Sequence, residues 1–232
     1  MNAGEVTLSV IIPVLNEENT VKTIIDRVLN LDIDLEIIVV DDGSTDNTYE
    51  VVDEMQDDRI SVYRHKQNKG KGAAIHTALA HIKGKYTVIQ DGDLEYDPAD
   101  FIPMLKLMQE KNAKVVYGSR ILGHQPMSYL RYWLGGRGVT LFTNLLFFSQ
   151  ITDEPTCYKM FDSDLLKTLD LKCPGFEFCP EVTGKILKRK IPILEIPISY
   201  NPRSLEEGKK IRWVDGFIAL WTLIKIRLTG KV

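Results

Sequence analysis

The sequence predicts an α/β fold built on a mainly parallel central sheet flanked by helices. Three observations carry that reading. Short apolar runs alternate with segments of helical periodicity through the first half of the chain. The runs Leu8–Val14 and Leu35–Val40 are nearly continuous in apolar residues, the pattern of strands covered on both faces. Polar clusters come after the runs at Asn16-Glu17, Asp41-Asp42 and Asp91-Gly92-Asp93. Ligands of open α/β sheets bind at such places, outside the carboxyl ends of the strands.

The elements run in order. Leu8–Val14 reads as the first strand, and Asn16–Leu29 as a helix with Val21, Ile24, Ile25 and Val28 on one face. Leu35–Val40 is the second strand, closed by the turn-forming residues Asp41-Asp42-Gly43-Ser44. Thr45–Met55 reads as a helix with Asp46 in its first turn, where the helix dipole favours a carboxylate. Ile60–Tyr63 is a short strand, and Gly72–Ile82 a helix opened by the glycine-rich turn Asn68-Lys69-Gly70-Lys71. Tyr86–Ile89 is a strand, Pro98–Glu110 a helix with proline at its head, and Val115–Tyr117 another strand. Beyond these, Met127–Phe148 is rich in leucine and aromatics, with Arg131 and Arg137 embedded. Thr156–Phe161 reads as a strand and Pro180–Lys190 as a helix. Ile191–Tyr200 is a strand whose two prolines mark a sheet edge, and Ile211–Leu228 is a helix. No linker interrupts the chain, so residues 1–232 are expected to form a single domain.

Composition narrows the class. With 232 residues, 44% hydrophobic and 26% charged, the chain can bury a sizeable core. A net charge of −3 gives no general attraction to nucleic acid. Cys157, Cys173 and Cys179 are an odd number without metal-ligand spacing, which suits reduced thiols in a cytosolic protein. No apolar stretch reaches the roughly 18–20 residues of a membrane span, and no segment reads as a signal peptide. From Arg203 onward seven Lys/Arg face three Asp/Glu, among many large apolar residues.

The most informative local motif is Gln90-Asp91-Gly92-Asp93-Leu94-Glu95. Two aspartates one residue apart, at the end of a strand, can aim two carboxylates into one crevice. They repel there unless a cation lies between them. Hard divalent cations prefer such oxygen ligands and often bridge them to a diphosphate. By itself the pattern also fits an ordinary turn.

Taken together, seven segments resemble the family 2 inverting glycosyltransferases of the GT-A type, in their dolichyl-phosphate mannose/glucose synthase-like branch. They are Val10-Ile11-Ile12-Pro13-Val14-Leu15-Asn16-Glu17, Val39-Val40-Asp41-Asp42-Gly43-Ser44-Thr45-Asp46, Asn68-Lys69-Gly70-Lys71-Gly72-Ala73-Ala74, Asp91-Gly92-Asp93-Leu94-Glu95, Tyr117-Gly118-Ser119-Arg120, Thr152-Asp153-Glu154-Pro155-Thr156-Cys157-Tyr158-Lys159, and Tyr200-Asn201-Pro202-Arg203 with Glu207-Gly208-Lys209-Lys210. The resemblance implies a GT-A type fold, with residues 1–120 as the nucleotide-sugar donor half. Residues 121–232 would be the acceptor half, with a C-terminal amphipathic extension. It places Pro13, Leu15, Glu17, Val40 and Asp42 in the nucleotide pocket. Leu15 stands where the family often has an aromatic, which weakens base stacking. It assigns Asp91 and Asp93 to a divalent metal (Mg2+ or Mn2+) and the diphosphate, with Gly92 between them. Glu95 is either a third ligand or a solvent-facing carboxylate. Arg120, Arg203 and Lys209 match positions near the donor sugar and phosphates, and Arg203 leads into a loop expected to order over the donor. The lysines of Asn68-Lys69-Gly70-Lys71-Gly72 can meet an anion or merely flank a packed turn. The expected catalytic set is Asp93, Asp153, Arg120 and Arg203.

The resemblance implies a GDP- or UDP-hexose donor and a polyprenyl (dolichyl or undecaprenyl) phosphate acceptor. A glycan or lipid hydroxyl is the alternative acceptor, as in cell-surface polysaccharide synthesis, and a catalytically idle nucleotide-sugar-binding scaffold is a third reading. Asp153 separates the first two. A hydroxyl nucleophile needs a general base, whereas a phosphate oxygen is already ionised. The helix after Arg212, with Phe217, Ile218, Trp221 and terminal Lys225 and Arg227, suits a helix lying in a lipid interface. Packing on the protein's own core or in a homodimer is the competing reading. The expected place of action is the cytoplasmic face of a membrane, reached peripherally or through a separate membrane subunit.

Overall fold

The computed structural model describes residues 6–123, 130–203 and 213–229. Its strands are β1 (Leu8–Val14), β2 (Leu35–Asp41), β3 (Ile60–Arg64), β4 (Tyr86–Ile89), β5 (Val115–Ser119), β6 (Lys159–Asp162) and β7 (Leu194–Pro197). The helices are α1 (Val21–Leu29), α2 (Thr48–Asp53), α3 (Lys71–Leu79), α4 (Phe101–Glu110), α5 (Leu130–Phe147), α6 (Ser163–Lys167), α7 (Phe178–Lys188) and α8 (Trp213–Leu228). A 3-10 turn over Pro98–Asp100 leads into α4; the Asp97 carboxylate caps it by accepting from the Ala99 N–H.

One sheet holds the seven strands in the order β3-β2-β1-β4-β6-β5-β7. β1 pairs in parallel with β2 and β4, β2 with β3, and β5 with β7. β6 runs antiparallel to both of its neighbours. The sheet is therefore mainly parallel, as the apolar runs require, and β7, which ends at Pro197, is an edge strand, the place a strand proline favours. β1 and β2 are almost wholly buried, and Val10, Ile11, Ile12, Ile37, Val39 and Val40 have no exposed surface.

Several boundaries differ from the sequence expectation, each for a local reason. α1 begins at Val21 rather than Asn16. Asn16 sits at φ +52° and its side-chain oxygen accepts from the Thr45 N–H at 2.8 Å, which ties the two loops together instead of opening a helix. β6 begins at Lys159 rather than Thr156 because the buried Lys159 ammonium donates to the Glu154 and Thr156 carbonyls at 2.6 and 2.5 Å, curling that segment back. α6 has no counterpart in the sequence expectation; it is a single short turn capped by Asp162, whose carboxylate accepts from the Leu165 N–H.

A smaller apolar cluster joins α5, α7 and α8 through Phe147, Leu223 and Ile226, with Val139, Phe142, Leu146 and Leu187 around them. The helices expected at the lipid interface thus do pack on the protein itself along one face. Their other faces leave Leu141, Leu145 and Phe148 on α5 and its end, and Phe217, Trp221 and Leu228 on α8, exposed. No helix among the described residues is long and apolar enough to cross a membrane.

One glycine fixes a site-forming loop. Gly70 lies at φ +101°, and a Cβ there would come within 2.4 Å of the Pro174 carbonyl oxygen. Gly70→Ala is therefore expected to destabilise the fold by about 1–3 kcal/mol, the usual scale for forced backbone strain. The urea midpoint measures this, and an unchanged midpoint would show that the loop relaxes freely.

Candidate active site

All strands but β6 point the same way, so their carboxyl ends share one edge of the sheet. Glu17 follows β1, Asp42 follows β2, Asp91 and Asp93 follow β4, Arg120 follows β5 and Arg203 lies beyond β7. The reversed strand β6 starts at that same edge, so the Thr152–Tyr158 segment before it arrives there too. β1 stands between β2 and β4, the point where the strand order reverses and where open α/β sheets hold ligands.

Arg203 joins the acidic clusters. Its guanidinium donates from Nη1 to Glu17 Oε2 and from Nη2 to Glu17 Oε1, both at 3.2 Å, and from Nη2 to Asp93 Oδ2 at 2.5 Å. Glu17 and Asp93 are both buried. Glu17 is further fixed by the Thr20 hydroxyl at 2.9 Å, and its backbone N–H donates to Thr48 Oγ1 at 2.8 Å.

The Asp91–Glu95 turn is held on every side. A Cβ on Gly92 would meet Val14 Cγ1 at 2.8 Å, so glycine lets the turn lie directly on β1. Asp93 Oδ1 accepts from the Glu95 N–H at 3.0 Å. The Lys71 ammonium contacts Asp91 Oδ1 and lies 3.5 Å from Cys157 Sγ. Burial pushes the Asp91 carboxyl up, but Lys71 outweighs it, and the group titrates below its ordinary range. Asp93 moves the other way. Burial and then the neighbouring Asp91 charge push it up to about 6, against the pull of Arg203.

Glu95 uses its carboxylate inward. Oε1 accepts from the Arg203 N–H at 2.8 Å and Oε2 from the Tyr200 hydroxyl at 3.0 Å, while the Glu95 carbonyl accepts from the Asn201 N–H at 2.7 Å. Glu95 thus fastens the Tyr200–Arg203 segment to the aspartate turn. Among the described residues no three His, Cys, Asp or Glu side chains converge as a metal-ligand set. Tyr96 packs against Tyr158 and Tyr200 at ring distances of 4.6 and 5.1 Å and floors the same turn.

The residues expected at the nucleotide are placed unevenly. Pro13 and Leu15 keep some exposure at the end of β1, whereas the Val40 side chain is enclosed in the core. Asp42 organises the glycine-rich turn: it accepts from the Lys69 N–H at 3.0 Å and the Gly70 N–H at 2.7 Å, and meets His65 Nδ1 at 2.6 Å. Lys209 lies outside the described residues, as does the loop expected to order over the donor.

Arg120 and Asp153 form a second unit. The Asp153 carboxylate is buried and accepts from Arg120 Nε and Nη2, each at 2.8 Å, and from the Arg120 N–H at 3.0 Å. Burial opposes its ionisation, yet Arg120 wins and holds the carboxyl below its ordinary value. The Arg120 guanidinium also lies over the Tyr200 ring, 5.1 Å from its centroid. Glu195 on β7 anchors the loop from beneath, accepting from the Thr152 N–H at 2.8 Å and the Asp153 N–H at 3.2 Å. α5 holds it from the side, where Arg137 donates to the Thr152 carbonyl at 3.1 Å and Thr140 Oγ1 accepts from the Glu154 N–H at 3.1 Å.

Of the residues singled out from sequence, the fold brings Glu17, Asp91, Asp93, Glu95, Arg120, Asp153 and Arg203 to one edge. It adds Lys71, Tyr96, Tyr200 and Glu195, whose roles depend on neighbours distant in the chain. Lys71 and Tyr200 carried a sequence signal, the one from its place in the glycine-rich turn and the other from the Tyr200-Asn201-Pro202-Arg203 segment; Tyr96 and Glu195 carried none.

The sequence profile of Glycosyl transferase family 2 matches residues 9–170. The UDP-N-acetylglucosamine–dolichyl-phosphate N-acetylglucosaminyltransferase of Methanococcus voltae is 29% identical over 245 residues, covering 96% of each chain. The low-salt glycan biosynthesis hexosyltransferase Agl6 of Haloferax volcanii is 30% identical over 230 residues; the match covers 97% of this chain and 54% of that one. Among solved structures, glucosyl-3-phosphoglycerate synthase from Mycobacterium tuberculosis, in complex with Mn2+, UDP and phosphoglyceric acid, superposes with a TM-score of 0.72 at 21% identity. That superposition covers 99% of this chain and 81% of the other.

The raised Asp93 pKa has a stability consequence in metal-free protein. The folded value near 6 exceeds the ordinary 3.8, so the folded state holds the proton more tightly. That contribution is complete below about pH 4 and is lost as pH rises through about 6. Asp93→Asn, neutral at every pH, should raise Tm by a few degrees at pH 8, with the gain shrinking toward pH 4. Thermal melts in chelator measure it, and a lower Tm at pH 8 would contradict the charge repulsion.

Proposed function

We propose, for a chain that belongs to glycosyl transferase family 2 and is a glycosyltransferase with the GT-A fold, that it transfers a hexose with inversion from a nucleotide diphosphate sugar to a polyprenyl phosphate. The Arg120–Asp153 pair carries the choice of acceptor. A carboxylate gripped at both oxygens by a guanidinium, with a depressed pKa, is a poor proton acceptor. A hydroxyl acceptor needs such a base, whereas an ionised phosphate oxygen does not. The dolichyl-phosphate acceptor in the name of the Methanococcus relative supports the same choice. Its UDP-linked donor, with the UDP in the M. tuberculosis structure, supports a UDP-sugar.

In this reading the acceptor phosphate oxygen attacks the anomeric carbon from the face opposite the leaving diphosphate. The bond from that carbon to the diphosphate oxygen breaks, and its electron pair stays on the diphosphate. Lys71 and Arg203 offer positive charge where negative charge grows. Arg120, oriented by Asp153 through Nε and Nη2 and lying over Tyr200, would offer the acceptor phosphate the terminal N–H groups that Asp153 leaves free. Pro13, Leu15 and Glu17 border the nucleotide, and Asp42 supports it through the Lys69–Gly70 backbone.

The residues fit a divalent cation. Asp91 and Asp93 offer hard oxygen ligands on one turn, and burial, then the neighbouring Asp91 charge, raises the Asp93 pKa, so that its ionised form would gain from a cation. A Mg2+-like site commonly takes one or two carboxylates plus substrate phosphates, which agrees with the absence of a three-residue ligand set among the described residues. When bound there, Mg2+ or Mn2+ would neutralise the departing diphosphate. Glu95 is assigned to fastening the Arg203 segment. The exposed apolar faces of α5 and α8 agree with peripheral docking at the cytoplasmic face of a membrane.

Four outcomes test this. Turnover should vanish in chelator and return with Mg2+ or Mn2+, and Asp93→Asn should lower it by at least about a hundredfold; full activity in chelator would remove the metal. The product formed with a membrane lipid extract should release its sugar in mild acid, as a sugar phosphodiester does. Asp153→Asn should lose about tenfold at most, against the roughly hundredfold to ten-thousandfold cost of losing a general base. An acid-stable product would make the acceptor a hydroxyl.

A further inference from the structure

Asp93 has a cation partner within the fold itself. Its Oδ1 is taken by the Glu95 N–H, and its Oδ2 is covered by Arg203 Nη2. The same guanidinium reaches Glu17 with both terminal nitrogens, so a single fork spans the carboxylates that come after β1 and β4. Its backbone is tied to the aspartate turn independently, through the Glu95 carboxylate and the Asn201–Glu95 backbone bond. The side chain can therefore let go of Asp93 without its backbone leaving the turn.

We propose that Arg203 is an internal competitor for the divalent cation: in the absence of donor it occupies the Asp93 oxygen that the metal needs, and metal entry releases it toward the phosphates. The inference rests on Asp91 and Asp93 being the metal ligands. A guanidinium and a divalent cation cannot share one carboxylate oxygen at contact distance, since like charges repel most strongly where burial weakens the dielectric screening. Whatever the metal gains from Asp93 it gains against the Arg203 ion pair. The donor shifts that balance, because its phosphates offer the displaced fork a better bidentate partner. By linkage, donor then tightens metal binding and metal tightens donor binding by the same factor. Arg203 thereby gives the site a preference for metal and donor together, which disfavours a metal-loaded site without substrate.

The test is Mn2+ binding to the full chain without donor, read by the electron paramagnetic resonance signal of free Mn2+, which requires no turnover. Arg203→Ala removes the competitor and should bind Mn2+ at least about tenfold tighter than wild type, since an opposite charge at contact moves a carboxylate's proton affinity by about one to three pKa units. Arg203→Lys keeps the charge but not the fork, and should fall between the two. If the alanine variant fails to fold, as circular dichroism would show, the lysine variant decides by binding more tightly than wild type. Equal or weaker Mn2+ binding by a folded variant overturns the competition while leaving the metal site intact. No Mn2+ binding by any of the proteins removes the metal reading and this inference with it.

Discussion

Carboxylates gathered at one edge of a sheet repel one another, and much of the site's architecture answers that repulsion. Glu17, Asp91, Asp93, Glu95 and Asp153 come from three parts of the chain and meet at the carboxyl ends of the strands. Lys71, Arg120 and Arg203 are threaded among them in specific pairs. The pairing is unequal. Asp91 and Asp153 are held as anions by a dedicated cation each, while Asp93 shares Arg203 with Glu17 and sits beside Asp91. Burial and the Asp91 charge make Asp93 hold its proton more tightly than an ordinary carboxyl, so an added positive charge would favour its ionised form.

The packing beneath the acids makes that arrangement rigid. Gly92 allows the turn to rest on Val14, and Tyr96, Tyr158 and Tyr200 form an aromatic floor whose hydroxyls are used in turn. The Tyr96 hydroxyl accepts from the Cys157 N–H, that of Tyr158 donates to Gln90, and that of Tyr200 to Glu95. The Asp91–Glu95 turn and the Thr152–Tyr158 segment are thus built on one set of rings. A shift in either is felt by the other through contacts that close packing does not let slide.

The reversed strand has a functional meaning. A sheet of wholly parallel strands would bring only strand ends to the ligand edge. Because β6 runs the other way, its beginning lies there, and the segment before it delivers Asp153 beside Arg120. Glu195, on the strand at the far edge, secures that segment from below. The Arg120–Asp153 unit is therefore built from β5, β6 and β7 together, whereas Glu17, Asp42 and the aspartate turn come after β1, β2 and β4.

Much of this was legible in the sequence. Unbroken apolar runs fix doubly covered strands, turn residues fix their ends, and an α/β sheet gathers the loops after those ends on one edge. These local rules sufficed for the α/β class and for the edge position of β7. Joined to the family resemblance, they singled out Glu17, Asp91, Asp93, Arg120, Asp153 and Arg203, which the fold brings to one edge of the sheet. The tertiary structure alone decided which charge meets which. Arg203 reaches residues 186 and 110 positions away, and Tyr200 reaches Glu95 across 105. Nothing in local periodicity encodes such pairs. The direction of β6, the inward turn of Glu95, the enclosure of Val40 and the clamp on Asp153 likewise depend on how layers pack. Burial and the distance to a partner charge set a carboxylate's protonation, and both are properties of the folded chain rather than of the residue.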